Sequence, residues 1–427
     1  MKVVKLSLIA FVLGCSASAF AADSISDAFK NGSTSGNLKV WYWDKDIDNS
    51  GTKKSSNILN TAIELNYLSD TYYNFSAGVT FQANATPNAS EDAKAMFINE
   101  EYASGSVLSE AFLDYNANQF DIKVGRQFIN SFVINGNYAR MLKESFEGSS
   151  LKTTLVPDTS IFGYYISKFQ GRTSHVSGNG AGDAPTFRKK TVFGGAGPLS
   201  YEFDGAYSIG FTNKSIPNLK LDAAYLLAND VGNSTSTPTL KDDLSIYYLN
   251  ASYRLPLDGY KLGLDVKYVD SSTGSKLDAN NWEGDIFDFN LSAAFNGFLL
   301  EAAYSTTSDS DRVILGMGNG VKTYTLPMIR GPFVYSTQAG TDSYSYSVKY
   351  NFEKAGIKGL KGRLQYVTAD RDDDRGIKRD YNGYGAALFY KIPQIKNLSA
   401  NIIYFSLDEK VTDVDTDELW VKLNYKF

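Results

Sequence analysis

The chain has 427 residues, a formal net charge of −5, 29 Tyr and 26 Phe, but one Cys and one His. That acidic balance argues against a nucleic-acid partner, whose footprint is a basic patch. A single histidine excludes a multi-histidine zinc site, and Ser-His catalysis would have to run through His175, which has no G-x-S-x-G near it.

Residues 1–21 predict a Sec-type export signal: Lys2 and Lys5, an apolar core from Leu6 to Leu13, and the small-x-small site Ala19-Phe20-Ala21. The core is too short to span a bilayer as a helix. The alternative is a lipoprotein acylated at Cys15, which the bulky Leu13 fits less well. Ordinary cleavage removes Cys15, so neither disulfides nor thiolate metal sites are expected, and no cofactor. Residues 22–35 read as a polar periplasmic lead, too short for the plug domain of a gated iron or vitamin receptor.

From residue 36 to 427 apolar and polar residues alternate in short runs, the period of a strand with two unlike faces. The pattern predicts strands at Gly36–Asp46, Thr61–Leu68, Tyr73–Gln82, Leu108–Tyr115, Phe120–Phe128, Leu151–Val156, Ser160–Lys168, Tyr201–Ile209 and Leu219–Leu227. It continues at Leu244–Arg254, Tyr260–Val269, Phe287–Phe295, Phe298–Ser305, Tyr344–Phe352, Leu360–Thr368, Tyr384–Lys391, Leu398–Phe405 and Asp417–Phe427. Connections read alternately short, as at Asn296-Gly297, and long, as at 83–106, 169–199 and 309–341. The fold class expected is all-β: a transmembrane antiparallel β-barrel of about 18 strands, with short periplasmic turns and long extracellular loops. Sixteen strands is the alternative if a weak pair fails, and Tyr201–Ile209 is the weakest. A soluble all-β protein would also alternate. Against it stand the loop alternation and the tyrosines near strand ends on the apolar face: Tyr115, Tyr207, Tyr225, Tyr253, Tyr268, Tyr304, Tyr350 and Tyr366, as interface girdles require.

If the apolar face meets lipid, the other lines a wet lumen. Parity then turns Lys39, Lys123, Lys152, Lys220, Arg254, Lys261, Lys267, Lys349, Lys361, Arg363 and Lys422 inward, with Glu64, Glu110, Asp114, Asp121, Glu202, Asp204, Asp222, Asp265, Asp288 and Glu301. The basic residues gather in late strands beside Lys39 and the acidic ones in strands four, five and eight, so facing walls of opposite sign are expected. The stretch Val133 to Glu147 is too apolar for a loop in water. It predicts a third loop, about 129–147, folded into the lumen, with Arg140, Lys143 and Glu144 as constriction charges.

S-D-A-F-K-N-G-S-T-S-G-N-L-K-V-W-Y-W-D (Ser26 to Asp44), K-V-G-R-Q-F-I (Lys123 to Ile129), S-F-E-G (Ser145 to Gly148), G-L-K-G-R-L-Q-Y-V-T-A-D (Gly359 to Asp370) and W-V-K-L-N-Y-K-F (Trp420 to Phe427) together resemble the OprD-type outer-membrane porins. The resemblance implies an eighteen-strand channel, an inward third loop and a ladder of basic residues guiding small carboxylate-bearing solutes. It also implies that the terminal Phe427 serves as an assembly signal. The inward bases are mostly lysine, which lacks the planar fork of arginine, and this weighs against a narrow carboxylate preference.

The function expected is a porin of the Gram-negative outer membrane: a water-filled channel for small hydrophilic solutes, anions, carboxylates or amino acids among them. The alternatives are an outer-membrane adhesin and a barrel enzyme such as a hydrolase. Expected partners are outer-membrane lipid, lipopolysaccharide and the barrel-assembly machinery. A homotrimer is left open.

Overall fold

Strands with two unlike faces can satisfy every backbone group within a membrane only if the sheet closes on itself. The computed structural model, which describes residues 22–87, 89–177, 184–197, 199–232, 240–329 and 333–427, is such a closed sheet. The expected export signal, residues 1–21 with Cys15, lies outside the described residues.

The first nine barrel strands are β1 Ser33–Asn49, β2 Thr52–Leu68, β3 Phe75–Ala85, β4 Gly105–Ala117, β5 Phe120–Gln127, β6 Ser145–Thr153, β7 Thr159–Gln170, β8 Gly205–Asn213 and β9 Leu219–Gly232. The second nine are β10 Lys241–Leu257, β11 Tyr260–Thr273, β12 Asp285–Phe295, β13 Phe298–Thr307, β14 Thr341–Asn351, β15 Leu360–Asp372, β16 Lys378–Lys391, β17 Leu398–Glu409 and β18 Val414–Lys426. Each pairs antiparallel with the next, and β18 returns to β1, from Asn37 opposite Lys426 to Asn49 opposite Val414. Closure leaves no edge and removes the sixteen-strand alternative.

The outward face is the apolar one: Ile209, Leu291, Leu364 and Tyr384 are 60–62% exposed, which suits lipid and not water. Tyrosine rings pack tilted across strands there, Tyr165 against Tyr207 and Tyr225 against Tyr247, with ring centroids 5.1 and 4.9 Å apart. Each such pair adds roughly 0.5–1.5 kcal/mol beyond the area it covers. No helix of the described residues is long and apolar enough to cross a membrane.

The strands run further than their alternation. Beyond the bilayer both faces meet water, so the ladder continues through polar residues that carry no pattern. β1 and β2 therefore meet at 50–51, where Ser50 and Gly51 both take positive φ (50° and 84°), as a type I′ hairpin requires. The outer connections 373–377 and 410–413 are also short, so the expectation that every outer connection is long fails at these three. The long ones are 86–104, 128–144, 171–204 and 308–340.

The eighth strand begins at Gly205 and not at Tyr201. Tyr201–Glu202 pairs instead with Lys190–Thr191 at the outer rim. The lead is shorter than the 22–35 expected, since β1 starts at Ser33. It holds a short helix, α1 (Ile25–Lys30), whose N-cap Ser24 accepts the Asp27 amide.

Three long loops enter the barrel and knit together. Ile134–Asn135, Phe193–Gly194 and Gly316–Gly318 form a small sheet, with Met317 opposite both Phe193 and Ile134. Gly316 has φ 127°, and a Cβ there would lie 2.3 Å from the Val133 carbonyl, so no other residue fits the contact. Ile134, Phe146, Phe169, Phe193, Ile314 and Met317 are fully buried around this sheet, each stabilising by roughly 1.5–3 kcal/mol. A second cluster joins Trp41, Trp43, Ile58, Met141 and Trp420 to Phe97, at the end of helix α2 (Glu91–Phe97) in loop 86–104.

Candidate channel constriction

The inward face of β1 presents Lys39, Trp41 and Trp43; that of β18 presents Trp420 and Lys422, with Trp43 opposite Trp420 and Trp41 opposite Lys422. The Trp41 and Trp43 rings stack with centroids 5.2 Å apart, and Trp420 meets both edge-on at 4.8 and 4.9 Å. Loop 128–144 lies across this wall. The Arg140 guanidinium sits 5.2 Å from the Trp43 ring and 5.8 Å from the other two. It pairs with Glu100 at 2.6 Å and Glu101 at 3.2 Å, both from loop 86–104. A buried guanidinium is tolerable because it keeps two carboxylates and three ring faces. Burial holds the Glu101 carboxyl above its ordinary value, with Arg140 opposing the shift only in part.

The loop's other charges are tied as closely. Glu144 is fully buried and accepts from the Asn137 amide at 2.8 Å and from Arg172 of loop 171–204 at 2.9 Å. Lys143 reaches Glu64 of β2 at 2.8 Å, and Lys39 reaches the same carboxylate at 3.5 Å. Lys39 also donates to the Met141 carbonyl at 3.0 Å, and Lys422 to that of Ala139 at 3.2 Å.

Arg140, Lys143 and Glu144, expected as constriction charges, are each tied to a partner of opposite sign. Arg140 and Glu144 lie in buried pairs, and Lys143 alone keeps its side chain partly in water, at 24%. The loop also ends at residue 144 and not 147, because Ser145, Phe146 and Glu147 continue the ladder as β6.

Most wall charges fall where parity put them. Lys220 pairs with Asp222 at 2.7 Å, Arg254 with Asp265 at 2.7 Å, Lys267 with Asp288 at 2.9 Å and Lys349 with Glu301 at 2.6 Å. Glu110 accepts from Thr80 and from the Phe128 amide. Asp114 and Asp121 face Lys123 and Lys152 across the strands, Lys123 lying over the Phe112 ring at 4.1 Å. Among the described residues no acidic wall faces the basic one, because these acids are matched by bases. Glu202 and Asp204 are not in the lumen. They precede β8 on the outer rim, bound to Lys241 and Lys189 respectively. Arg363 on β15 keeps a buried Nε with no hydrogen-bond partner among the described residues.

Two chambers open on the periplasmic side of the loops. One, of about 940 Å3, lies between the wall at Lys220, Arg254, Lys261 and Lys267 and the loop residues Phe132 and Tyr324. The other, of about 710 Å3, is lined by Lys39, Glu64, Lys143, Arg363, Lys422 and Lys426. A gap of about 150 Å3 separates Ala139 and Arg140 from Lys322 to Met328 of loop 308–340; it shares Lys322 with the first chamber and Trp420 with the second.

The narrow space is thus bounded by two loops, and sequence reasoning found only one. Loop 308–340 is held by Lys267 donating to the Lys322 carbonyl at 2.6 Å, the Tyr324 amide on Asp288 at 2.9 Å and the Tyr324 hydroxyl on Asn250 at 3.0 Å. The apolar run Val313-Ile314-Leu315, now fully buried, is the same signal that exposed loop 128–144. Trp41, Trp43 and Trp420 were also missed; a tryptophan on an otherwise polar strand face marks an inward contact.

The model of a family described as outer membrane porin, OprD family, matches residues 113–427. No curated protein matches the sequence. Among solved structures, Pseudomonas aeruginosa OccK9 (OpdG) is similar at TM-score 0.77 and 17% identity, over 94% of this chain and 99% of that one. Acinetobacter baumannii OccAB4 gives 0.75 and 17%, over 93% and 98%. Pseudomonas aeruginosa OpdQ gives 0.73 and 18%, over 94% and 99%. At these identities the likeness is one of fold.

Proposed function

Since the chain belongs to the OprD family of outer membrane porins, and so forms an outer-membrane channel for small solutes, we propose that this channel favours small anions. The observation that carries the reading is the lining of the 710 Å3 chamber. Lys39, Lys143, Arg363, Lys422 and Lys426 stand there with Glu64 as the one acidic side chain among the described residues. Two of those bases share Glu64, and the buried Nε of Arg363 has no hydrogen-bond partner among the described residues. In a narrow pore an unmatched charge acts at an effective dielectric well below that of bulk water, so its field on a passing ion is several-fold stronger than at the outer surface. Lysine ammoniums attract any small anion without selecting the planar carboxylate.

The reversal potential of a single channel in a potassium chloride gradient tests this. Chloride preference is expected, moving toward potassium when Arg363 and Lys422 are both replaced by Gln. Cation preference in the unaltered channel would overturn it.

In the same reading Phe427 is an assembly signal read by the barrel-assembly machinery. Its ring lies on the lipid face, and its amide and carbonyl both bond Gly36. Deleting it should lower the folded, heat-modifiable protein in the outer membrane; an unchanged yield would reduce it to ordinary surface. Lipopolysaccharide contact and a homotrimer remain part of the proposal. No observation favours a hydrolase or an adhesin, His175 being exposed and hydrogen-bonded to Asn99.

A further inference from the structure

The outer rim of the barrel exterior carries two unlike charge sectors. On β1 and β15 to β18 the outward face continues past its aromatic and aliphatic residues into aspartates that oppose each other. Asp46 stands opposite Asp417, Asp48 opposite Asp415 and Asp370 opposite Asp380. Lys53 on Asp48, Lys410 on Asp380 and Lys378 on Asp372 offset part of this charge, and the remaining like charges repel one another and a phosphate as well.

On β5 to β10 the same level is basic. Arg126 follows the lipid-facing Ile122 and Val124 on β5, and its partner in register, Glu147, binds both it at 3.1 Å and Lys168 of β7 at 2.6 Å. Above the tilted ring pair Tyr165 and Tyr207, Lys189 binds Asp204, which directly precedes β8. Lys190 and Lys241 share Glu202 at 3.7 and 2.6 Å. Thr191 and Tyr201, their chain neighbours, are buried in the loop core, so Lys190 and Glu202 face away from it. Lys168, Arg188, Lys189, Lys190 and Lys241 line one outer-rim cleft of about 730 Å3, against Glu202, Asp204 and Asp230. That volume falls in the roughly 300–1,000 Å3 of ligand pockets.

We infer that this cleft binds the phosphate-bearing sugar headgroup of an outer-leaflet glycolipid of lipid A type. The inference rests on the outer-membrane placement of the chain. Three features favour a lipid over a soluble anion. The cleft opens on the exterior of the barrel, it stands directly above the aromatic girdle where headgroups lie, and aromatic rings below it offer a surface for acyl chains. A lysine bound to one carboxylate still has donors left for a phosphate oxygen. The facing sectors of opposite sign confine such a lipid to one side of the barrel.

The test uses the folded full-length barrel in detergent, titrated by native mass spectrometry with bis-phosphorylated lipid A, with dephosphorylated lipid A and with inorganic phosphate. The phosphorylated lipid is expected to bind about ten-fold tighter than the dephosphorylated one, equivalent to about 1.4 kcal/mol. Inorganic phosphate should not compete at equal concentration. The triple replacement Lys189→Gln, Lys190→Gln, Lys241→Gln should abolish the discrimination, and Asp204→Asn, which removes an acid and keeps the fold, should increase it. Equal binding of the two lipids, discrimination surviving the triple replacement, no gain with Asp204→Asn, or competition by inorganic phosphate would each overturn the inference. Conductance in planar bilayers is recorded on the same variants and should not change. A protein that binds the lipid but conducts nothing would count against the channel reading and leave the lipid site standing.

Discussion

The two inward loops are anchored by opposite means. Loop 128–144 carries a cation of its own, Arg140, into an aromatic recess and takes its carboxylates from a neighbouring outer loop. Loop 308–340 reaches the wall by main-chain groups: it brings the Lys322 carbonyl and the Tyr324 amide to Lys267 and Asp288, which already satisfy each other there. The first arrangement is all or nothing, since removing one member leaves buried charge behind. The second degrades by single hydrogen bonds.

The largest expected effect breaks the first anchor. Arg140→Ala strands Glu101 at 2% exposure and costs about 3–5 kcal/mol. The thermal midpoint should fall, and single-channel conductance should rise and become noisy; an unaltered midpoint with quiet channels would erase the contrast. A smaller effect is expected from Tyr324→Phe, which removes one hydrogen bond, that of the hydroxyl to Asn250, and leaves the Lys267–Asp288 pair intact, at about 0.5–1.5 kcal/mol. Amide hydrogen exchange should speed up over 320–326 and stay slow over 128–144. Simultaneous loosening of both segments would mean that the small sheet at Ile134, Phe193 and Met317 makes them one unit. The least effect belongs to Lys143→Ala. Its ammonium is partly in water and Glu64 keeps Lys39, so stability should change by less than about 1 kcal/mol. The reversal potential should move slightly toward cations, and a melting shift as large as that of Arg140→Ala would sink the ranking.

The barrel itself was legible because the bilayer imposes a period of two on every strand that crosses it. The same reasoning failed just outside the bilayer. Ile47 to Asn49 and Thr52 to Asn60 read as loop because water lies on both of their faces, yet they are paired strand through to Ser50 and Gly51. Parity placed Lys267 and Asp288 inward, but could not say that they would be consumed as a pair holding a loop, since that depends on a segment more than thirty residues downstream. Glu202 and Asp204 were lost to a strand boundary: Tyr201, apolar and alternating, extended the eighth strand on paper, while in space it packs on Trp282 inside the rim. Arg140 was found but misjudged, because an arginine in a mobile-looking loop carries no mark of the three tryptophans waiting for it.

Those tryptophans have an optical consequence. All four tryptophans of the chain are buried inside the barrel: Trp41, Trp43 and Trp420 around Arg140, and Trp282 in the cluster that packs loop 308–340. The tryptophan emission of the protein therefore comes from chromophores shielded from both lipid and water. Iodide should quench it poorly, and brominated lipid hardly at all. Any displacement of the inner segments should appear as a red shift, without a label, and replacing Trp282 by Phe would separate the signal of one segment from that of the other.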